Sequence, residues 1–456
     1  MFKKPKLPIT LIRNFSDLLR IHETCKLRNY AFYSIHHTHV PTRLNCELLV
    51  LGGGAGGCSV ASKFASKLDK NHVIIVEPSD VHYYQPMLTL VGGGIKKVSD
   101  AARPMRNILP AGAHWVKDSV ISFEPANNIV RTKEGISISY DYLLVALGLE
   151  LRFDLVEGLQ EALANPDSGV SSNYSPQFAG RTFENLKKFD KGNAIFTFPN
   201  TPVKCAGAPQ KACYISEDYL QKHGKRESAN VMYKTSLPVI FGVKHYADAL
   251  NELCKRRNID VGLRQELIEI DVGKKEAIFC NLDKKDDTFE IPYTMLHVTP
   301  PMSAPESLRN DKILSDSTGF LNVDKLTLQH PKFPNIFGIG DCTNLPTSKT
   351  AAAVAAQSKV VFNNITHVMR GEEPKATYDG YTSCPLVTGY GSCILAEFDY
   401  NAQPLETFPI DQRKESALMY YLKKDVMPSL YWFGLLKGIW NGPEHFRKLF
   451  HFGAAK

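Results

Sequence analysis

The sequence predicts an α/β protein: two Rossmann-like dinucleotide-binding domains, the first interrupted by the second, followed by a C-terminal segment suited to a membrane surface. Three observations predict this. A strand–glycine turn–helix–strand unit runs from Glu47 to Glu77. A second turn, Gly338-Ile-Gly-Asp341, follows a strand pattern and precedes a helix rich in alanine. Between them, residues 165–305 carry strand and helix patterns but no second G-x-G-x-x-G.

Taken in order, the elements begin after a leader over residues 1–45. It holds eight Lys/Arg against Asp17 and Glu23, with Leu11, Phe15, Leu18 and Leu19 on one helical face. That composition reads as a mitochondrial transit peptide, with a disordered basic arm as the alternative. Glu47–Leu51 is a buried-strand pattern, Cys58 to about Leu68 a helix, and Val73–Glu77 the next strand. Together they make the βαβ unit of a doubly wound sheet. Tyr142–Gly148 reads as a further strand of the domain part at 46–164. In the second domain, 165–305, Ala194–Phe198 and Val239–Phe241 are strand candidates and Ala247–Arg257 a helix. Phe333–Asp341 returns to the first domain, whose second part spans 306–380 and includes the helix Thr350–Gln357. The last region, 381–456, mixes Trp432, Phe433, Trp440, Phe446, Phe450 and Phe452 with Lys423, Lys424, Lys437, Arg447 and Lys448. Its longest apolar run, Leu430–Leu436, is far short of the roughly 20 residues that span a bilayer. Basic and aromatic residues together suit an interfacial helix; an aromatic cap on the core or a dimer contact is the alternative.

Composition narrows the function classes. At 456 residues the chain holds two or three domains. The net charge of +7 belongs largely to the leader, because the remainder has 46 basic against 45 acidic residues. No nucleic-acid-binding surface is implied. There is no C-x-x-C, no haem-attachment motif and no zinc-ligand spacing, so no metal is expected.

The chemistry concentrates at two places. Gly52, Gly54 and Gly57 fit G-x-G-x-x-G, with Ala55 and Gly56 completing the turn and the helix N-terminus offering N–H groups to a pyrophosphate. Glu77, twenty residues beyond Gly57, is placed to accept ribose hydroxyls. Asp341 resembles the late aspartate by which two-dinucleotide-fold flavoproteins hold the ribityl chain, which argues for FAD; as a plain helix cap it would also make sense. Lys349, Thr350, Ala351 and Ala352 then fall near the flavin ring or its pyrophosphate. Where a nicotinamide site would begin, after Ala194–Phe198, the chain instead reads Pro199-Asn-Thr-Pro-Val-Lys-Cys205. Cys205 and Cys384 lie in two Gly/Pro-punctuated loops, and two loop cysteines beside a flavin suggest thiol–disulfide chemistry. Lys204 and Lys211 are candidates to lower a thiol pKa, a surface position being the ordinary expectation for each.

The segments Phe198–Lys211, Gly338–Asn344 and Asp379–Gly389 resemble sulfide:quinone oxidoreductases of the mitochondrial, two-cysteine type, over the chain from about Cys46 onward. No cysteine lies between Cys58 and Cys205, where bacterial relatives often have a third. The resemblance implies FAD, with Gln85 and Val120 among its contacts. It also implies that Cys205 and Cys384 are joined, directly or through a bridging sulfur. Hydrosulfide then attacks at Cys384 and leaves a persulfide there, and the sulfur released at Cys205 passes two electrons to the flavin. The sulfane sulfur goes to a small acceptor such as glutathione or sulfite, and the electrons go to ubiquinone. The implied location is the mitochondrial inner membrane, peripheral and on the matrix face. An NADH:quinone oxidoreductase of the same fold and a non-catalytic flavin-bound scaffold are the alternatives.

Overall fold

The computed structural model describes residues 42–284 and 287–452. The expected leader therefore lies outside the described residues apart from 42–45, and Arg43–Asn45 already belong to the first strand, Arg43–Leu51 (β1). The Gly-rich turn leads from β1 into helix Ala55–Phe64 (α1) and on to Val73–Val76 (β2). Then come His114–Val116 (β3), Val120–Glu124 (β4), Ile129–Thr132 (β5) and Ser137–Val145 (β6). Their order across the sheet is β3-β2-β1-β6-β5-β4, with β1 parallel to both β2 and β6. The strands at the centre are continuous apolar runs because both faces are covered. Leu48–Leu51 and Leu143–Val145 are fully buried, each side chain contributing about 1.5–3 kcal/mol relative to exposure.

The second sheet begins with Val170–Ser171 (β7), Gly192–Phe198 (β8), Ala229–Thr235 (β9) and Asp260–Leu263 (β10). An antiparallel meander follows, Gln265–Asp271 (β11), Glu276–Asn281 (β12) and Thr288–Pro292 (β13), before Met295–His297 (β14) inserts between β7 and β8. All pairings in the order β7-β14-β8-β9-β10 are parallel. Helix Ala208–Lys222 (α2) connects β8 to β9, and Lys244–Arg256 (α3) connects β9 to β10. The chain then returns to the first sheet: Ile336–Gly338 (β15) pairs in parallel with Leu143–Val145 of β6 and leads to helix Ala351–Met369 (α4). The doubly wound α/β class expected from the sequence is the class observed.

Two local expectations need correction. Val239–Phe241 is not a strand: residues 236–243 form an irregular bend. Pro238 removes a donor there, and the strand is β9, in which Val231 and Tyr233–Thr235 are buried. Helix α1 begins at Ala55, three residues earlier than expected, because Gly56 and Gly57 form its first turn.

Beyond α4, Thr382–Gly389 (β16) and Ser392–Phe398 (β17) form an antiparallel hairpin. A continuous helix over 417–435 follows, with wide i→i+5 turns at Leu422–Val426 and Leu430–Leu435. Its aromatic residues divide. Tyr431 and Trp432 are buried with Leu435 and Leu436 against Cys58, Tyr84 and Leu88, whereas Phe433 is 73% exposed. No helix among the described residues is long and apolar enough to cross a membrane.

Candidate active site

The turn after β1 is set by close backbone packing. Gly52 has φ +103°, and a Cβ on Gly57 would land inside the Gly52 carbonyl oxygen, so only glycine lets α1 start there. Around Gly54 the space beyond the Cα is open for at least 4 Å. The Gly53 N–H donates to Glu77 Oε2 at 2.8 Å, and the Ser79 N–H donates to Glu77 Oε1 at 2.8 Å. Glu77 thus fixes the turn while its remaining lone pairs face the cavity.

The second wall comes from β15 and α4. Thr350 caps α4 by accepting from the Ala353 N–H at 3.0 Å and shares a hydroxyl contact of 2.8 Å with Thr382. Burial raises the Asp341 carboxyl above the usual carboxylate range, with Lys349 and Lys204 opposing the shift. The N-termini of α1 and α4 open onto one cavity of about 680 Å³. Two helix ends, a glycine face without a Cβ and a half-buried aspartate fit a dinucleotide.

Of the residues expected to hold the cofactor, Gly54, Ala55, Gly56, Glu77, Gln85, Asp341, Lys349, Thr350, Ala351 and Ala352 all line this cavity. Gly52 and Gly57 sit behind it in the turn. Val120 does not line it: it opens β4, pairs with Thr132 and packs on the core of the first sheet.

The loop from β8 to α2 carries Cys205. Its N–H donates to the Lys349 carbonyl at 2.8 Å, tying the second domain to the start of α4. Tyr174 Oη donates to the Cys205 carbonyl at 3.3 Å. Cys205 has φ +53°, the left-handed region that non-glycine residues avoid, which aims its side chain at the hairpin. There, Cys384 Sγ lies 3.6 Å away, although 179 positions separate the two residues. Gly207 permits the approach, since a Cβ on it would stand 2.5 Å from Cys384 Sγ.

Lys211, in the first turn of α2, is only 2% exposed and donates from Nζ to Cys205 Sγ at 3.1 Å and to Cys384 Sγ at 3.8 Å. It is not the surface lysine its residue type suggests. The hydrogen bond from Cys384, together with the Lys211 ammonium, overrides burial and holds Cys205 well below the ordinary thiol range. The hydrogen bond with Cys205, burial and the neighbouring charge push Cys384 well above it. The pair therefore shares one proton, with the thiolate at Cys205. Burial opposes the charge on Lys211, but the thiolate beside it keeps the ammonium protonated above the usual lysine range.

Lys204 turns elsewhere, donating to Gln85 Oε1 at 2.6 Å, and burial pushes it down to about 8. A cation not foreseen in the sequence is Lys423, 2% exposed, which donates to the Pro86 carbonyl at 3.0 Å and lines the cavity. Burial and the charge of Lys211 lower it to about 8. Its spacing to Met427 and Tyr431, i+4 and i+8, was the available signal that it faces inward. The far end of the cavity is walled by Met427, Leu430, Tyr431, Phe446 and Phe450, an apolar surface beside the C-terminal helix.

Residues 46–188 match the family described as "Pyridine nucleotide-disulphide oxidoreductase". The chain is 54% identical over 407 residues to the mitochondrial sulfide:quinone oxidoreductase of Mus musculus, covering 89% of this chain and 90% of the relative. It is 46% identical to the Dictyostelium discoideum protein of the same name, covering 87% of each chain. Among solved structures, the sulfide:quinone oxidoreductase of Aquifex aeolicus superposes with a TM-score of 0.72 at 22% identity, over 86% of this chain and 92% of that one, a likeness of fold.

Proposed function

The chain belongs to the mitochondrial sulfide:quinone oxidoreductase family, and from this premise we propose that it oxidises hydrogen sulfide at Cys205 and Cys384 and delivers two electrons to ubiquinone. The observation that carries the site assignment is the cysteine pair with Lys211 against it, beside a cradle that fits FAD. Bound there, FAD supplies a two-electron acceptor on the cysteine side and a donor to quinone. In the joined state of the pair, hydrosulfide attacks Cys384 Sγ. The S–S bond breaks, Cys384 carries the new sulfane sulfur, and the electron pair leaves with Cys205. Lys211 favours that direction because a leaving thiolate of low pKa departs faster. The 3.6 Å separation is also near what two S–S bonds of about 2.05 Å span when bent at a bridging sulfur. A small acceptor, glutathione or sulfite, then takes the sulfane sulfur.

Anaerobic titration tests this reading. Sulfide bleaches the visible band of the bound flavin and a soluble quinone restores it, whereas NADH leaves it unchanged. Rapid bleaching by NADH would contradict it, because the β8–α2 loop that would hold a nicotinamide dinucleotide is instead the cysteine loop.

The membrane assignment rests on the outer face of the C-terminal region. Phe433 and Ile439 are each 73% exposed, Leu449 61% and Phe452 98%. An apolar patch of this kind beside lysines suits the bilayer interface. The proposed location is the matrix face of the mitochondrial inner membrane, where a lipid-soluble quinone reaches the apolar end of the cavity. In flotation with anionic lipid vesicles, the wild-type protein floats, and Phe433→Asp with Ile439→Asp leaves most of it in the lower fractions. Equal flotation of the double variant sinks the assignment of this patch.

A further inference from the structure

We propose that His82 is a positioning residue that straps the C-terminal helix to the phosphate-binding turn, so that the filled cofactor cradle and the docked helix hold each other in place. The proposal rests on the reading that FAD fills the cradle.

His82, in the short strand Val81–Tyr83, is 3% exposed. Its Nδ1 lies 3.0 Å from the Gly53 carbonyl oxygen and its Nε2 lies 2.7 Å from the Tyr431 hydroxyl. A carbonyl only accepts, so the hydrogen sits on Nδ1, and Nε2 accepts from Tyr431. Burial pushes the imidazole down to about 4, which keeps it neutral with this arrangement. Both ring nitrogens are thus spent on fixed partners, leaving no free position from which to pass a proton. The geometry is that of a strap and not of an acid–base group.

Each end of the strap is itself held. The Gly53 carbonyl also accepts from Cys58 Sγ at 3.2 Å, and the Gly53 N–H is bound by Glu77. The two successive peptide groups that meet at the Gly53 Cα are therefore both fixed. At the other end, Tyr431 lies on the wide i→i+5 turn Leu430–Leu435, a helix distortion common at functional sites. Its ring packs on Tyr84 at 4.4 Å between centroids. Two further bonds run in parallel from α1 to the same region: Ser62 Oγ donates to the Leu436 carbonyl at 2.7 Å, and Lys63 Nζ donates to Asn441 Oδ1 at 2.5 Å. The helix whose N-terminus makes the phosphate site thus also anchors the segment that walls the apolar end of the cavity.

The test uses the holoenzyme and the variants Tyr431→Phe, His82→Phe and the double variant. Release of FAD after dilution is followed by flavin fluorescence, and KM and kcat are measured with a soluble quinone. Tyr431→Phe keeps the ring and removes only the hydroxyl, so the fold is retained. Each single variant is expected to release FAD about tenfold faster, the loss typical of one buried hydrogen bond. KM for quinone rises by a similar factor, more than kcat falls. The double variant is no worse than His82→Phe, because one chain of bonds is cut in both cases. FAD release or quinone KM at the wild-type value in Tyr431→Phe, or additive losses in the double variant, would overturn the strap. A wild-type protein that binds no FAD would overturn the preceding functional reading instead.

Discussion

Cys205→Ser and Cys384→Ser each lower the rate of sulfide-driven flavin reduction at least about a thousandfold, and the double variant is no worse than either single one, as holds for residues that act as one unit. The two variants differ in a second readout. In Cys384→Ser, the serine hydroxyl replaces the thiol as hydrogen-bond donor, and Lys211 remains 3.1 Å from Cys205 Sγ. Cys205 therefore stays a thiolate and alkylates rapidly at neutral pH. In Cys205→Ser, the remaining thiol is only 2% exposed and its sulfur stands 3.8 Å from Lys211 Nζ, farther than that of Cys205, so alkylation at Cys384 is slower. Stopped-flow absorbance gives the first quantity and mass-resolved alkylation the second. Turnover within tenfold of wild type in either serine variant would remove the cysteine pair from the mechanism. Equal alkylation of the two would remove the assignment of the thiolate to Cys205.

Much of the fold was legible because it is written in short-range patterns. The apolar runs 48–51 and 73–76 and the glycines between them specify a βαβ unit whatever else the chain does. The residues at 349–352 reach the cavity because Thr350 is a readable helix cap. What was not legible depends on distant packing. Nothing within the Cys205 loop predicts that its sulfur meets Cys384, 3.6 Å away on a hairpin formed 179 positions later; the flavin motifs suggested a shared chemistry for the two thiols, and the family resemblance that they are joined. Lys211 looked like a surface residue because a lone buried ammonium is costly, and the compensating thiolate is stabilised by a cysteine on a distant hairpin. Lys423 was hidden in a segment read for its membrane-facing side. The segment's other side packs inward through Tyr431 and Trp432, the aromatic cap the sequence also allowed, while the membrane-facing reading of its outer side belongs to the proposal.

The largest electrostatic consequence concerns Lys211. Lys211→Met keeps nearly the length and volume of the side chain and removes the charge. An opposite charge this close lowers an acid's pKa by about 1–3 units, so its loss raises Cys205 by a similar amount. Cys205 is a thiolate above its pKa and a thiol below it, and the rate of sulfide-driven reduction climbs with pH through that value. Raising the pKa moves the climb toward alkaline pH. The variant is therefore slowed at every pH below its new pKa, by up to about 10- to 1000-fold where Cys205 is protonated in both proteins, and recovers as the pH passes the new pKa. The ionisation of hydrosulfide is common to both proteins and cancels in the ratio of their rates. Lys423→Met produces a smaller displacement. Lys423 is bonded to the Pro86 carbonyl and not to sulfur. Rate–pH profiles of the three proteins decide the matter. Coincident profiles for wild type and Lys211→Met would show that the ammonium does not set the thiolate. A larger displacement in Lys423→Met would transfer that role to the C-terminal helix.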